Sequence, residues 1–235
     1  MSVTTNPTSV PPIAKWREGD RTVTKLPRGN HRISREDILA SQRGRIIRAA
    51  LEMIGEHGPG SLSVSEVVRR AGISRKAFYE QFGSFEDCVA DAVMTANLVI
   101  GAEMASAAEA AAPTGQFDRI RLMIQEFCAM ASEEPAITVA VVGNSYALDA
   151  PTRQVWINIL GVRRAILTSY WETARGLEPT IAAATPERIT AAISLIETSI
   201  LEAIANDEAA TLPSRAEVIA DGVLDVLAGG SLVKI

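Results

Sequence analysis

The sharpest alternation of apolar and polar positions in the chain lies between Ser61 and Phe82, SLSVSEVVRRAGISRKAFYEQF. Val64, Val67, Val68 and Ala71 fall on one face at helical period, which predicts a short amphipathic helix. Gly72 follows the last periodic residue, where a left-handed C-cap sits, and Ile73 plugs the turn. Ser74 offers an N-cap to a second helix, on which Ala77, Phe78 and Phe82 continue a buried face. Upstream, residues 43–57 carry Ile47, Ala50, Leu51 and Ile54 on one stripe and stop at Gly58-Pro59-Gly60. Ser63 with Glu66, and Ser84 with Asp87, are capping-box patterns that open the helices following them. Ser34 with Asp37 is a further such pattern, which extends or precedes the first helix. The result is a three-helix module with a fourth helix leading away from it.

The remaining pattern is helical throughout. Phe85 to about Ala112 is one long helix ended by Pro113-Thr114-Gly115, and Phe117, Ile120, Ile124, Phe127 and Ala131 set the register of the next, residues 117–132. After Pro135 the run Ala136–Val142 reads as wholly buried. A long helix spans Thr152–Arg175 and stops at Gly176, Thr185 with Pro186 opens another, and the Ser214-x-x-Glu217 box opens the last, which ends near Gly229-Gly230. No convincing alternating strand occurs, so the expected fold is all-α.

Left outward on the second helix of the 61–82 segment are Arg75, Lys76, Tyr79 and Gln81. Two cations, a phenol and an amide on a short exposed helix suit phosphates and base edges in a DNA major groove. The pattern is that of a helix-turn-helix, and the alternative at this point is a helical hairpin whose outward charges are merely solvated.

From about Arg43 to Ala92 the chain resembles the TetR family of transcriptional repressors, through RIIRAALEMIGEHG, SLSVSEVVRRAGISR and AFYEQF with its Phe78-Tyr79 pair. PRGNHRISREDILASQR ahead of it is similar to an N-terminal extension of some actinobacterial members. The resemblance implies a DNA-binding domain at residues 34–92, preceded by a flexible basic extension at 1–33 and followed by a helical effector-binding and dimerisation domain at 93–235. It also implies a homodimer on a palindromic operator, released by a small-molecule effector. Carried over by position, Ser63, Ser74, Arg75, Lys76, Ala77, Tyr79 and Gln81 fall where family members touch DNA. One residue departs from the pattern: Phe85 stands where most members have a phosphate-contacting lysine. The helix N-terminus can still hold a phosphate there through its amides.

Charge changes the picture in one respect. The net charge of −5 argues against nucleic acid, but residues 1–90 hold 14 Lys and Arg against 10 Asp and Glu, and the remainder 9 against 18. A basic head on an acidic body is the asymmetry expected of a DNA-binding protein. Lys25, Arg28, His31 and Arg32, just ahead of the first helix, either lie along the minor groove or only raise the local DNA concentration. MSVTTNPTSVPP reads as a disordered tail rather than a signal segment. With no run of about 18 apolar residues, no membrane span and a cytoplasmic location are expected. Cys88 and Cys128 read as buried free thiols, and neither they nor the two histidines have metal-ligand spacing.

Two further sites are expected in the body. Met94, Phe127, Met130, Trp156 and Tyr170, with Met123 and Trp171, are the adaptable or aromatic residues that line apolar ligand pockets, though each also suits core packing. Asn97, Gln125, Asn144, Tyr146 and Asn158 are polar groups able to orient a ligand or to satisfy one another. Ile189, Ile193, Ile196 and Ile200 recur at spacings of four, three and four, and Ile219 and Val223 share a side of the last helix. These stripes are the expected dimer interface, the alternative being packing within one subunit. No cofactor or metal site and no catalytic constellation is legible, so an enzyme is not expected. The rival to a DNA-binding regulator is an interaction or ligand-binding protein whose helix-turn-helix no longer binds DNA, for which Phe85 is the main feature.

Overall fold

The computed structural model describes residues 35–58, 62–110, 115, 117–143 and 150–230. Among them run nine α-helices and no strand: α1 (Arg35–His57), α2 (Val64–Ala71), α3 (Arg75–Gln81), α4 (Phe85–Ala110), α5 (Asp118–Glu133), α6 (Pro135–Val142), α7 (Ala150–Leu177), α8 (Pro186–Ala205) and α9 (Leu212–Ala228). The basic segment with Lys25, Arg28, His31 and Arg32 lies outside the described residues, as do Asn144 and Tyr146.

Local chemistry sets the ends of the head helices. Ser63 Oγ accepts from the Glu66 amide and donates to the Glu66 carboxylate, closing the first turn of α2. Gly72 takes φ 63° at the other end, and the amides of Gly72 and Ile73 bond back to the Arg69 and Val68 carbonyls. Ser74 caps α3 through the Ala77 amide, and Ser84 caps α4 through the Asp87 amide at 3.0 Å. The stripe Ile46, Ile47, Ala50, Leu51 and Ile54 of α1 is buried against Val67, Val68 and Phe78. Arg43 ties the head to α4: its guanidinium lies 4.6 Å over the Phe82 ring and 2.8 Å from the Asp91 carboxylate on α4.

Several boundaries move from expectation. The first helix is one unbroken rod of 23 residues, so the extension toward Ser34 is part of it. The long α7 runs through Gly176 to Leu177, because Glu178 still bonds to the Ala174 carbonyl and the stop falls at Pro179. The last helix begins before Ser214: Leu212 is fully buried and anchors the entry, and Pro213 takes a first-turn position. Ser214 Oγ donates to the Thr211 carbonyl instead of capping. By length and mean hydropathy (1.4), Phe85–Glu109 is also long and apolar enough to cross a bilayer, which a search for an unbroken apolar run misses. Here Val89, Ala92, Val93, Ala96, Val99 and Ile100 of that helix are buried inside the protein.

The body packs α5 against α4 and α9, with Arg121 of α5 paired to Glu217 and Asp221 of α9. Trp171 is completely buried, stacked on Phe117 at 5.5 Å and donating its indole N–H to the Ala182 carbonyl. Head and body meet twice. One link is α4. The other is non-covalent: α1 crosses α6 so closely that a Cβ on Gly55 would lie 1.8 Å from the Ala136 carbonyl oxygen. Arg48 flanks this crossing, reaching Glu134 at 3.0 Å and Glu52 at 2.7 Å. Burial opposes the Arg48 charge, but the two carboxylates outweigh it and raise its pKa above the usual value.

Gly55→Ala places its methyl group on a backbone atom that no rotamer can move. The variant is expected to lose about 1–3 kcal/mol of stability or more, read as a lower urea midpoint, whereas Gly44→Ala, with open space around it, is expected to lose nothing.

Candidate DNA-binding surface and effector cavity

The exposed side of α3 is what the helix-turn-helix offers to a partner. Burying Phe78 points Tyr79 outward, 53% exposed and edge-on to the Phe78 ring at 5.4 Å. Arg75 and Lys76 are exposed in the first turn; Lys76 sits 3.9 Å from Glu80, a distance at which little binding is forfeited to hold it. Ser63 and Ser74 are exposed at the two helix starts, and Ala77 is half-buried. Gln81 departs from the outward set. Its side-chain amide donates to the Leu39 carbonyl at 3.1 Å, and it is half-buried against α1. Helical position alone sends it outward, but α1 extends far enough to cover it. Phe85 is half-buried against the core at the start of α4, so this position serves packing where a phosphate-contacting lysine would face solvent.

The orientation of α2 beneath α3 is fixed by ions. Arg70 grips Glu56 through both terminal nitrogens at 2.6 Å, and its Nε reaches Glu52 at 3.0 Å. Arg45 donates to the Ala71 carbonyl at 3.1 Å, satisfying the C-terminal end of α2. Glu52 is shared between Arg70 and Arg48, so an ionic chain runs from α2 through α1 to Glu134 at the α5–α6 junction.

Residues 46–92 match the family model described as bacterial regulatory proteins, tetR family. The head thus carries a DNA-binding domain of the tetR type. The described fold as a whole is shared with solved transcriptional regulators. The fatty acid degradation regulator FadR from Bacillus halodurans superposes with a TM-score of 0.69 at 14% identity, covering 81% of this chain and 96% of that one. FadR from Bacillus subtilis, solved in complex with stearoyl-CoA, gives 0.66 at 16%, covering 79% and 97%. A transcriptional regulator from Rhodococcus sp. RHA1 gives 0.61 at 21%, covering 80% and 96%. No curated protein sequence matches the chain.

In the body, α4, α5, α7 and α8 line an open-mouthed cavity of about 180 Å³. Met94, Phe127, Tyr170 and Met123 are among its lining residues. Met130 and Trp156 are not: Met130 is buried in the core on another side of α5, and Trp156 lies too early on α7. Gln125 faces away and donates to Glu217. The isoleucine stripe is also corrected. Ile189, Ile193, Ile200, Ile219 and Val223 are all buried within the single chain, and Ile196 lines the cavity. Period identifies an apolar face but not which body covers it, and α8 is covered by its own subunit.

Composition did not single out the polar centre of the cavity. Arg163 pairs with Glu197, and its other terminal nitrogen reaches Asn97 Oδ1 at 2.5 Å. Burial pushes the Glu197 carboxyl above its usual range, opposed by the adjacent guanidinium. The signal was present in the sequence: Arg163 interrupts the apolar stripe Ile159, Ile166, Leu167 and Tyr170, and Glu197 interrupts Ile193, Ile196 and Ile200.

The hydrogen bond from Arg70 holds the Glu56 carboxyl below its ordinary pKa. A depressed carboxylate contributes stability above its unfolded pKa of about 4.3, and loses it as pH falls through the folded value. Glu56→Gln is therefore expected to be less stable than the native chain near neutral pH and to converge with it in acid. Urea unfolding across that range checks the sign; an offset independent of pH would remove the ion pair from the account.

Proposed function

We propose that the regulator binds a palindromic operator as a homodimer in the bacterial cytoplasm, represses transcription there, and is released when a small molecule fills the body cavity. The observation that carries the reading is the pairing of one exposed cationic helix with one apolar cavity, joined by α4. That helix starts beside the head at Arg43–Asp91 and supplies Met94, Leu98 and Met104 to the cavity wall. A ligand that packs against the far half of α4 favours one tilt of the lever. Two recognition helices must meet half-sites one helical turn apart, so a shift of a few ångströms at the heads misaligns both. Coupling of about 1–3 kcal/mol suffices for such a switch. The crossing of α1 over α6 gives the body a second hold on the head.

Direct DNA contact is assigned to Arg75, Lys76 and Tyr79, with Ser63, Ser74 and Ala77 close to the backbone; Gln81 supports α3 from behind. The reading in which the helix-turn-helix no longer binds DNA loses its main feature, because Phe85 has a packing role that leaves the α3 face untouched. Arg75→Ala is expected to cost about 1–3 kcal/mol and relax preference at one base pair per half-site. Lys76→Ala is expected to weaken all sequences alike and flatten the salt slope by about one unit. Fluorescence anisotropy with the DNA upstream of the chain's own coding region measures both, and unchanged binding of the double variant would refute the assignment.

With the isoleucines committed to the subunit's own core, the dimer surface is reassigned to the opposite faces of α8 and α9. Ala191, Ser194 and Thr198 are exposed on α8, Val218 is 74% exposed on α9, and Leu195 approaches Gly222 between them. Small residues beside an exposed valine allow a second helix pair to come close. Val218→Asp leaves the monomer's core intact and is expected to give a folded monomer with weak operator binding, since two half-sites are no longer engaged together. Sedimentation equilibrium decides it; an intact dimer would move the interface elsewhere.

A further inference from the structure

The cavity is specific about charge. Arg163 is the only cation among the lining residues and Glu197 the only anion, and they neutralise each other. The guanidinium is also held by Asn97 Oδ1, while the Asn97 amide nitrogen donates to the Val93 carbonyl at 2.8 Å. An anionic ligand would have to displace Glu197 and leave that carboxylate unpaired in an apolar site, which is strongly unfavourable. A cationic ligand would meet Arg163 in the same setting.

The mouth continues the apolar character. Leu98 on α4 and Val162 on α7 line the cavity while remaining 51% and 56% exposed. They offer nothing to a phosphate or a nucleotide. Two polar groups in the wall keep unused donors: Asn158, which is exposed and only accepts, from Gln154, and Tyr170, which is half-buried and whose phenol makes no hydrogen bond among the described residues. A phenol facing an otherwise apolar ligand site selects a partner that supplies one acceptor.

Resting on the reading of this cavity as the effector site, we infer that it takes an uncharged, mainly apolar molecule with one hydroxyl or carbonyl oxygen that accepts from Tyr170 Oη–H. At about 180 Å³, a little above the ~150 Å³ of a cavity that takes one benzene, the space encloses roughly six to nine non-hydrogen atoms, and a longer chain would emerge at the mouth between Leu98 and Val162. A medium-chain aliphatic alcohol, aldehyde or ketone meets that size; the nucleotide portion of an acyl-CoA does not fit inside.

The test uses the full chain and four probes with the same aliphatic chain: 1-dodecanol, dodecanoate, dodecylammonium and dodecanoyl-CoA. Calorimetry and ligand-dependent melting are expected to show binding of the alcohol and none of comparable strength for the charged forms. Tyr170→Phe is expected to weaken the alcohol by about three- to tenfold, the worth of one neutral hydrogen bond. Gly101 lines the cavity with open space at its Cβ position, so Gly101→Leu is expected to fold, melt cooperatively and lose the alcohol. Preference for dodecanoate or dodecanoyl-CoA, or equal binding by Tyr170→Phe, overturns the inference. Promoter DNA separates it from the effector reading. Alcohol bound without release of DNA refutes the switch and leaves the ligand class standing, whereas release by dodecanoyl-CoA alone refutes the ligand class and supports the switch.

Discussion

The close crossing of α1 over α6 at Gly55 is the constraint on which the arrangement of this molecule depends. A helix can approach the carbonyl of another at that separation only where one side lacks a Cβ. The approach brings Arg48 within reach of Glu134, and through Glu52 the same ionic chain steadies Arg70 and α2. The head is therefore seated on the body as well as threaded into it through α4. Displacement of the body is then carried into the head by two members at different points, which favours rotation of the whole head over bending at a joint.

Most helices were legible because their ends are written in local chemistry. Ser63, Gly72, Ser74, Ser84, Thr185 and Gly229 all act where capping rules place them. The Ser214 box failed because a buried leucine and a first-turn proline, two and one residues earlier, set the start of α9 instead. The site was less legible, for reasons of tertiary context. Gln81 is turned inward by a partner 42 residues away, and no local pattern announces the Leu39 carbonyl. The isoleucines of α8 were correctly read as a buried stripe and misassigned to a partner subunit, because periodicity carries no label for the covering chain. Arg163 and Glu197 were readable as interruptions of apolar faces. Attention to large apolar side chains passed over the two charged ones.

The division of charge also has a structural form. Cations of the head are sorted: Arg43, Arg45, Arg48 and Arg70 each hold a carbonyl, ring or carboxylate within the fold, while Arg35, Arg69, Arg75 and Lys76 stay at the solvent face. The basic excess of residues 1–90 comes from residues 1–34, since residues 35–90 hold 8 Lys and Arg against 8 Asp and Glu. Binding by such a surface depends on a few placed contacts more than on bulk attraction, and helix orientation carries correspondingly more of the affinity.

Cys88 at the root of α4 and Cys128 in the middle of α5 are both fully buried, with thiols pushed by desolvation up to about 12 and about 11. Thiols so protonated and so enclosed are poor nucleophiles, so oxidants that signal through accessible thiolates have no handle on the native state. Either sulfur meets an electrophile only when its own helix opens. Thiol labelling would therefore report loosening of the packing around α4 at its head end through Cys88, and around the middle of α5 through Cys128.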